Sequence, residues 1–219
     1  MQLITIATQQ ISIYDQKFLL TNQRVIFWKK HQILILSDLH IGKTAHFQKS
    51  GIAVPTSILD KDLDRLQQLI DQFKPRKIII VGDLFHAEYN SELNVFKDWI
   101  QQYKYIDWAL IKGNHDRFQD TTYAQFGIKV FPKSLTIDGI TLVHEPSKKE
   151  QNIFCISGHI HPGIRIKGKG KQYFTLPCFQ FSQTQLILPA FSLFTGLNTR
   201  NPLPKSVNYA FTDEEIFKL

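Results

Sequence analysis

Ile33-Leu34-Ile35-Leu36-Ser37-Asp38-Leu39-His40 joins an unbroken apolar run to an aspartate and a histidine two residues apart. Four apolar residues without alternation predict a short strand covered on both faces. Asp38 and His40, just past its end, can both turn their tips into one cleft. Three later stretches repeat this order of apolar run, then metal-ligand chemistry. They are Ile78 to Asp83 (IIIVGD), Ala109 to Asp116 (ALIKGNHD) and Ile153 to His161 (IFCISGHIH). A fifth, Ile140 to His144 (ITLVH), adds one more histidine. The five read as one site, a two-metal centre.

The segments between these motifs set the fold class. Short, partly alternating runs at Leu3 to Ile6, Phe18 to Leu20 and Val25 to Trp28 predict antiparallel strands near the start. Gly42 to Gly51 (GKTAHFQKSG) is polar, basic and turn-rich, and is expected to be a loop over the site. After Pro55, Thr56 or Ser57 can cap a helix whose Leu59, Leu63, Leu66, Ile70 and Phe73 share one face. Ser91 to about Lys104 predicts a second helix, with Leu93, Phe96, Trp99, Ile100 and Tyr103 inward. Two strand–loop–helix–strand units in succession point to a layered α/β fold, expected as a single domain over residues 1–219. Beyond residue 127 the chain turns β-rich. Asp138-Gly139 between two strand-like runs is the best short hairpin signal, and Arg165 to Phe174 predicts a second hairpin. Gln185 to Leu188 and Val207 to Phe211 are further strands.

Composition excludes several classes. Hydrophobic residues at 43% and charged residues at 21% are ordinary for a globular protein. No apolar run approaches the roughly 20 residues needed to span a bilayer, and Met1 to Thr5 lacks a signal-peptide pattern. Cys155 and Cys178 are too few for a disulfide scaffold and suggest reduced core cysteines in a cytoplasmic protein. Twenty-six Lys+Arg against 19 Asp+Glu give +7, with clusters at Lys74 to Lys77, Lys148-Lys149 and Arg165 to Lys171. That charge fits a polyanionic partner and equally fits ordinary solubilising charge. Gly42-Lys43-Thr44 is not a P-loop, because that motif needs a glycine where Ser37 stands; no nucleotide cofactor is expected.

Asp38, His40, Asp83, Asn114, His144, His159 and His161 form a mixed oxygen and imidazole set. Such ligands suit Mn²⁺, Fe or Zn²⁺ better than Ca²⁺ or Mg²⁺. Seven exceed what one ion takes and divide between two if one carboxylate bridges. Two such ions can clamp a phosphoryl group undergoing in-line displacement.

The order D-x-H, G-D, G-N-H-D, lone H, G-H-x-H across Asp38 to His161 resembles the calcineurin-like metallophosphoesterase superfamily. The resemblance implies a β-sandwich flanked by helices (αββα). Position by position, it implies Asp38, His40 and His161 on one metal, Asn114, His144 and His159 on the other, and Asp83 bridging. It makes His115 a residue that faces substrate and serves the leaving oxygen while a metal-bound hydroxide attacks phosphorus. Apart from the resemblance, Asp116, the next residue, is expected to orient His115. A histidine suits that proton transfer, since an unperturbed imidazole has a pKa of about 6.5. Gly82 to His86 is similar to the GDLFH of DNA-processing nucleases in the superfamily, which implies a phosphodiester substrate and a phosphate contact at His86. Ser37 to Gly51, Leu176 to Phe179 and Leu188 to Gly196 resemble the ligase-associated DNA damage response endonucleases (the PdeM family). These are small bacterial phosphoesterases grouped with a DNA ligase and a helicase. That resemblance implies Mn²⁺-dependent cleavage of DNA in repair, with His46 in a loop that can meet substrate. Lys43 and Lys49 of the same loop are expected near the cleft.

Simpler readings stand beside these. His86 can be a histidine that only hydrogen-bonds a ligand, and His46, Lys43, Lys49 and the 165–171 hairpin can be solvated charge. His31 reads as structural, and Phe179, Phe181, Phe191 and Phe194 as core. A hydrolase of small phosphate compounds (a sugar-nucleotide pyrophosphatase or phosphomonoesterase) and a non-catalytic scaffold are the alternative functions.

Overall fold

Alternation inside the apolar runs decides what each strand face covers. In the computed structural model, which describes residues 3–55, 57–86, 88–147, 153–200 and 203–219, the first sheet holds seven strands in chain order. They are β1 (Thr8–Ile13), β2 (Gln16–Thr21), β3 (Ile26–Trp28), β4 (Ile33–Leu36), β5 (Lys77–Val81), β6 (Asp107–Ile111) and β7 (Ile128–Phe131). β1 to β4 pair antiparallel and β4 to β7 parallel. The parallel half is joined through α1 (Lys43–Lys49), α2 (Ser57–Phe73), α3 (Ser91–Ile100) and α4 (Asp120–Ala124). The remaining strands are β8 (Ser134–Ile137), β9 (Ile140–Val143), β10 (Phe154–Ser157), β11 (Gly163–Lys167), β12 (Tyr173–Phe181), β13 (Gln185–Ile187), β14 (Val207–Phe211) and β15 (Ile216–Lys218). They form a second sheet in the order β15-β14-β12-β13-β10-β9-β8, with β11 paired to β12.

Leu34, Leu36, Ile78, Ile80, Trp108 and Leu110 point to one core, where Leu59, Leu63, Leu66 and Ile70 of α2 and Leu93, Phe96 and Trp99 of α3 meet them. Their neighbours Ile33, Ile35, Ile79, Val81, Ala109 and Ile111 point the other way, into a second core shared with Ile140, Leu142, Phe154, Ile156, Phe179 and Leu186. A strand buried on both faces must be apolar at every position, which is why these runs show no period of two. The result is an α/β sandwich of two mixed sheets with flanking helices. No helix among the described residues follows β7, so the helical layer is drawn from the first half of the chain.

Several boundaries depart from the sequence reading. The stretch 3–6 is not a strand: Ile6 packs on the helix-side core, the Ile4 N–H donates to the Gln68 carboxamide (2.9 Å), and β1 starts at Thr8. Gly42 to Gly51 is not a loop but holds α1. Its first turn is capped from another helix: the Glu92 carboxylate accepts from the Gly42 N–H (2.8 Å) and from the Thr44 and Ala45 amides. Local composition cannot reveal a cap supplied about 50 residues away. The Asp138-Gly139 turn has both φ angles positive, 46° and 77°, as a two-residue type I′ hairpin requires. His31 is structural, its Nε2 lying 2.9 Å from Asp138 Oδ2. Thr56 and Lys148-Lys149 lie outside the described residues. α4, β7 and β15 had no distinct sequence signal.

The largest surprise in α2 is a buried charge cluster on its core face. Arg65 lies 3.1 Å from Asp62, donates to the Phe191 carbonyl and sits over the Phe191 ring at 4.1 Å. Asp62 accepts from the Leu193 N–H at 3.2 Å, and Arg24 donates to the carbonyls of Ala190 (3.1 Å) and Ser192 (3.0 Å). These charges fasten the irregular segment 188–194 to the helix. That segment in turn donates backbone N–H groups to the carbonyls of Ser37 (from Phe191, 2.8 Å) and Asp38 (from Ser192, 3.2 Å). Removing one member leaves its partner charged and buried, which typically costs about 3–5 kcal/mol. Arg65→Ala is therefore expected to lower unfolding stability by about 3 kcal/mol or more, read from the urea midpoint. A midpoint within experimental error of wild type would show that the cluster does not hold the segment.

Candidate metal centre

All five motifs follow the carboxyl ends of strands: β4, β5 and β6 in one sheet, β9 and β10 in the other. Parallel neighbours open a crevice there, the usual ligand position in open α/β sheets. The turns out of these strands are abrupt. Among the described residues twelve non-glycine positions have positive φ, and five of them are Asp38 (58°), His40 (51°), Asp83 (53°), His159 (68°) and His161 (52°). Such conformations cost of order 1 kcal/mol or more each and persist only where the surroundings impose them. Here the Asp38, His40 and Ile41 N–H groups donate to the carbonyls of Gly82, Asp83 and Leu84 at 2.9–3.0 Å, lacing two of the loops together.

The glycines in these motifs are there for room. A Cβ on Gly82 would lie 2.0 Å from the His144 ring, and one on Gly158 would lie 1.7 Å from Ser37 Oγ and 2.7 Å from Asp38 Oδ2.

Two ligand groups form. Asp38, His40 and His161 make the first, with ligand atoms within 4.8 Å of one another. Asp38 Oδ2 accepts from Ser37 Oγ (2.6 Å) and the His159 N–H (3.1 Å), which aims Oδ1 inward, 3.2 Å from His161 Nε2. Asp38 Oδ1, both ring nitrogens of His40 and His161 Nε2 are buried without a hydrogen-bond partner. Burial holds His40 down at about 3, so its ring is neutral and offers a lone pair at one nitrogen.

Asp83, His144 and His159 make the second group, again within 4.8 Å. His144 Nδ1 lies 3.0 Å from the Val81 carbonyl, which places the proton on Nδ1 and leaves Nε2 as an acceptor. Around that Nε2 stand Asn114 Oδ1 (3.1 Å), His159 Nδ1 (3.1 Å) and Asp83 Oδ2 (3.4 Å). Acceptors this close repel unless a ring N–H or a cation sits among them, and His159 Nδ1 also lies 3.1 Å from Asn114 Oδ1. Burial disfavours a charged His144, yet the hydrogen bond and charge of Asp83 raise it to about 9. Burial likewise opposes the Asp83 carboxylate, but His144 and the His115 amide draw it down to about 2. A proton on His144 meets part of this demand. A divalent cation among four donors meets it more fully, and the donor chemistry of both groups fits one.

Among the described residues the Asp116 carboxylate makes no hydrogen bond to the His115 ring. That buried carboxylate accepts from the N–H groups of Asp83 (2.7 Å), Gly113 (2.9 Å), Leu84 (3.1 Å) and Phe85 (3.2 Å), and from the Tyr123 hydroxyl at 3.4 Å. It fixes the turn that carries Asp83; burial pushes its carboxyl up to about 6. The His115 backbone donates to Asp83 Oδ1 (2.9 Å), and its half-buried ring stacks on His86 at 4.7 Å and 30° and lies 5.5 Å from His40. Burial, with His115 second, holds His86 down at about 4, and its Nδ1 is buried without a partner. His46 is exposed on α1, its ring 5.8 Å from that of His86. Lys43 donates to the Phe194 carbonyl (3.0 Å), whereas Lys49 is exposed at the far end of α1. Ser37, Tyr123 and Glu92 were missed by sequence reasoning; only the position of Ser37 beside Asp38 offered a signal. Phe179 and Phe191 are core.

Asp116→Asn turns one oxygen into a donor that faces backbone donors. It is expected to cost about 2–4 kcal/mol of stability, several unmade hydrogen bonds at about 1–3 kcal/mol each, and to weaken metal uptake. Unfolding and metal titration would check both. A variant as stable as wild type that binds metal normally would return Asp116 to a role other than holding this turn.

Residues 31–215 match the calcineurin-like phosphoesterase family. The chain is similar to the Pseudomonas putida nuclease MPE, at 28% identity over 97% of this chain and 100% of that one, with a TM-score of 0.82. It also aligns with YfcE, a phosphoesterase from E. coli, at 15% identity over 85% of this chain and 97% of that one, with a TM-score of 0.45. No curated protein matches it. The matched span covers every element from β4 to β14 and both ligand groups, and this chain belongs to the calcineurin-like phosphoesterase family of metal-dependent phosphoesterases.

Proposed function

We propose that the protein is a two-metal phosphodiesterase that cleaves DNA in repair. Asp38, His40 and His161 would hold one divalent ion and Asn114, His144 and His159 the other, with Asp83 between them. The mixed oxygen and imidazole set favours Mn²⁺, with Fe or Zn²⁺ as the other candidates. When bound, such a pair supplies Lewis-acid charge to a phosphoryl group and acidifies water. The chain's own residues supply the rest. His115 gives a proton to the leaving oxygen from its ring N–H, and His86, neutral and stacked against it, hydrogen-bonds a non-bridging phosphate oxygen.

The observation that carries this reading is the His115–His86 stack beside the first ligand group. Among the described residues no hydrogen bond commits either ring to the protein. The likeness to a nuclease over the whole chain supports the nucleic-acid substrate. The two free, buried cysteines fit a reducing, cytoplasmic setting, and no helix among the described residues is long and apolar enough to cross a membrane. A DNA ligase and a helicase are the partners we propose, on the resemblance described above.

His115→Ala is expected to keep its metal content and lose about 10²–10⁴-fold in kcat on bis(p-nitrophenyl) phosphate. Metal analysis beside the assay reads both, and an unchanged rate removes His115 from the reaction. Cleavage of plasmid and oligonucleotide DNA, beside the ratio of monoester to diester turnover, tests the substrate. Monoester preference without DNA cleavage would favour a hydrolase of small phosphate compounds.

A further inference from the structure

No acidic residue occurs between Glu150 and Asp213, whereas Arg165, Lys167, Lys169, Lys171, Arg200 and Lys205 all fall there. Four of these six cations sit on one hairpin, β11–β12, which starts two residues after the metal-ligand candidate His161. Its base is pinned to the site: the Asn198 N–H donates to the His161 carbonyl (2.9 Å), and the Gly163 N–H donates to the Asn198 carbonyl (3.0 Å). Its tip is an ordered turn, with the Gly168 N–H donating to the Gln172 carbonyl (2.9 Å) and Gly170 at φ 68°.

Strand register sorts the side chains. Lys167 stands opposite Tyr173 and Arg165 opposite Thr175, so these four share one face; Arg165 lies over the Tyr173 ring at 4.0 Å. Arg165, Lys167, Tyr173 and Thr175 are all exposed, as are Lys169 and Lys171 at the turn. None of the four hairpin cations makes an ion pair among the described residues. Like charges held this close repel one another, and nothing acidic from their own third of the chain offsets them.

We infer that this hairpin is an arm that grips the DNA backbone to one side of the phosphate being cleaved. The inference rests on the nuclease reading and adds to it where the substrate extends. A five-residue strand rising about 3.3 Å per residue is about 16 Å long. At about 3.4 Å per base pair that spans about five base pairs. The cations neutralise phosphates without regard to sequence, and Arg165 with Tyr173 adds a flat surface for a base or sugar.

The test replaces Arg165, Lys167, Lys169 and Lys171 together by glutamine. A control variant replaces the exposed lysines Lys17, Lys61, Lys104 and Lys133, on other elements. Binding of fluorescein-labelled DNA is titrated across salt, and KM for DNA cleavage is measured beside turnover of bis(p-nitrophenyl) phosphate, which is too small to reach the arm. The arm predicts a slope of log affinity against log salt shallower by about 2–4 for the hairpin variant, since each phosphate contact contributes about 0.9. It also predicts a KM for DNA at least about tenfold higher, diester turnover near wild type, and a control variant close to wild type in DNA binding. If the hairpin variant binds DNA like wild type, or if the control loses as much, the arm is overturned while the nuclease reading stands. If the wild-type protein neither binds nor cleaves DNA, the nuclease reading falls and takes the arm with it.

Discussion

Five loops bring their polar atoms so close together that the turns holding them are forced and a proton or a cation must sit among them. Asn114 Oδ1, His159 Nδ1 and Asp83 Oδ2 crowd His144 Nε2 at 3.1–3.4 Å, and Asp38 Oδ1 faces His161 Nε2 at 3.2 Å. In a buried setting such contacts are costly unless compensated. The protein maintains them by spending backbone conformation: Asp38, His40, Asp83, His159 and His161 all adopt left-handed φ. Cation binding and the strained geometry are two sides of one requirement.

That geometry needs support from outside the motifs. Asp116 gathers four backbone N–H groups and so holds the Asp83 turn from beneath. On the other side, the charged cluster of Asp62, Arg65 and Arg24 anchors 188–194, and that segment donates to the carbonyls of Ser37 and Asp38. Buried ion clusters are weak evidence for stability as such. Here the cluster is better understood as a fixture, since irregular backbone beside a ligand group needs partners for its carbonyls. The two supports act on different loops.

Much of the fold was readable because its signals are local. The runs ILIL, IIIV and ALI declare strands buried twice, and the Leu and Ile spacing from Leu59 to Ile70 declares the α2 stripe. What was misread depended on distant partners. The polar stretch holding α1 is helical because Glu92 caps it, and the apolar stretch 3–6 is not a strand because it rests on α2. Asp116 looked like a partner for its neighbour His115 because sequence adjacency was the only relation visible.

The sequence by itself determined which donors exist and that each follows a buried strand, because a ligand a few residues past a strand end is a matter of chain geometry alone. Tertiary structure decided how those donors divide into two groups. It also turned Asp116 onto the Asp83 amides, stacked His86 on His115, and made the 188–194 segment a brace for Asp38. Each of these depends on side chains tens of residues apart meeting within hydrogen-bond or van der Waals distance, and only the packing of the two sheets sets that.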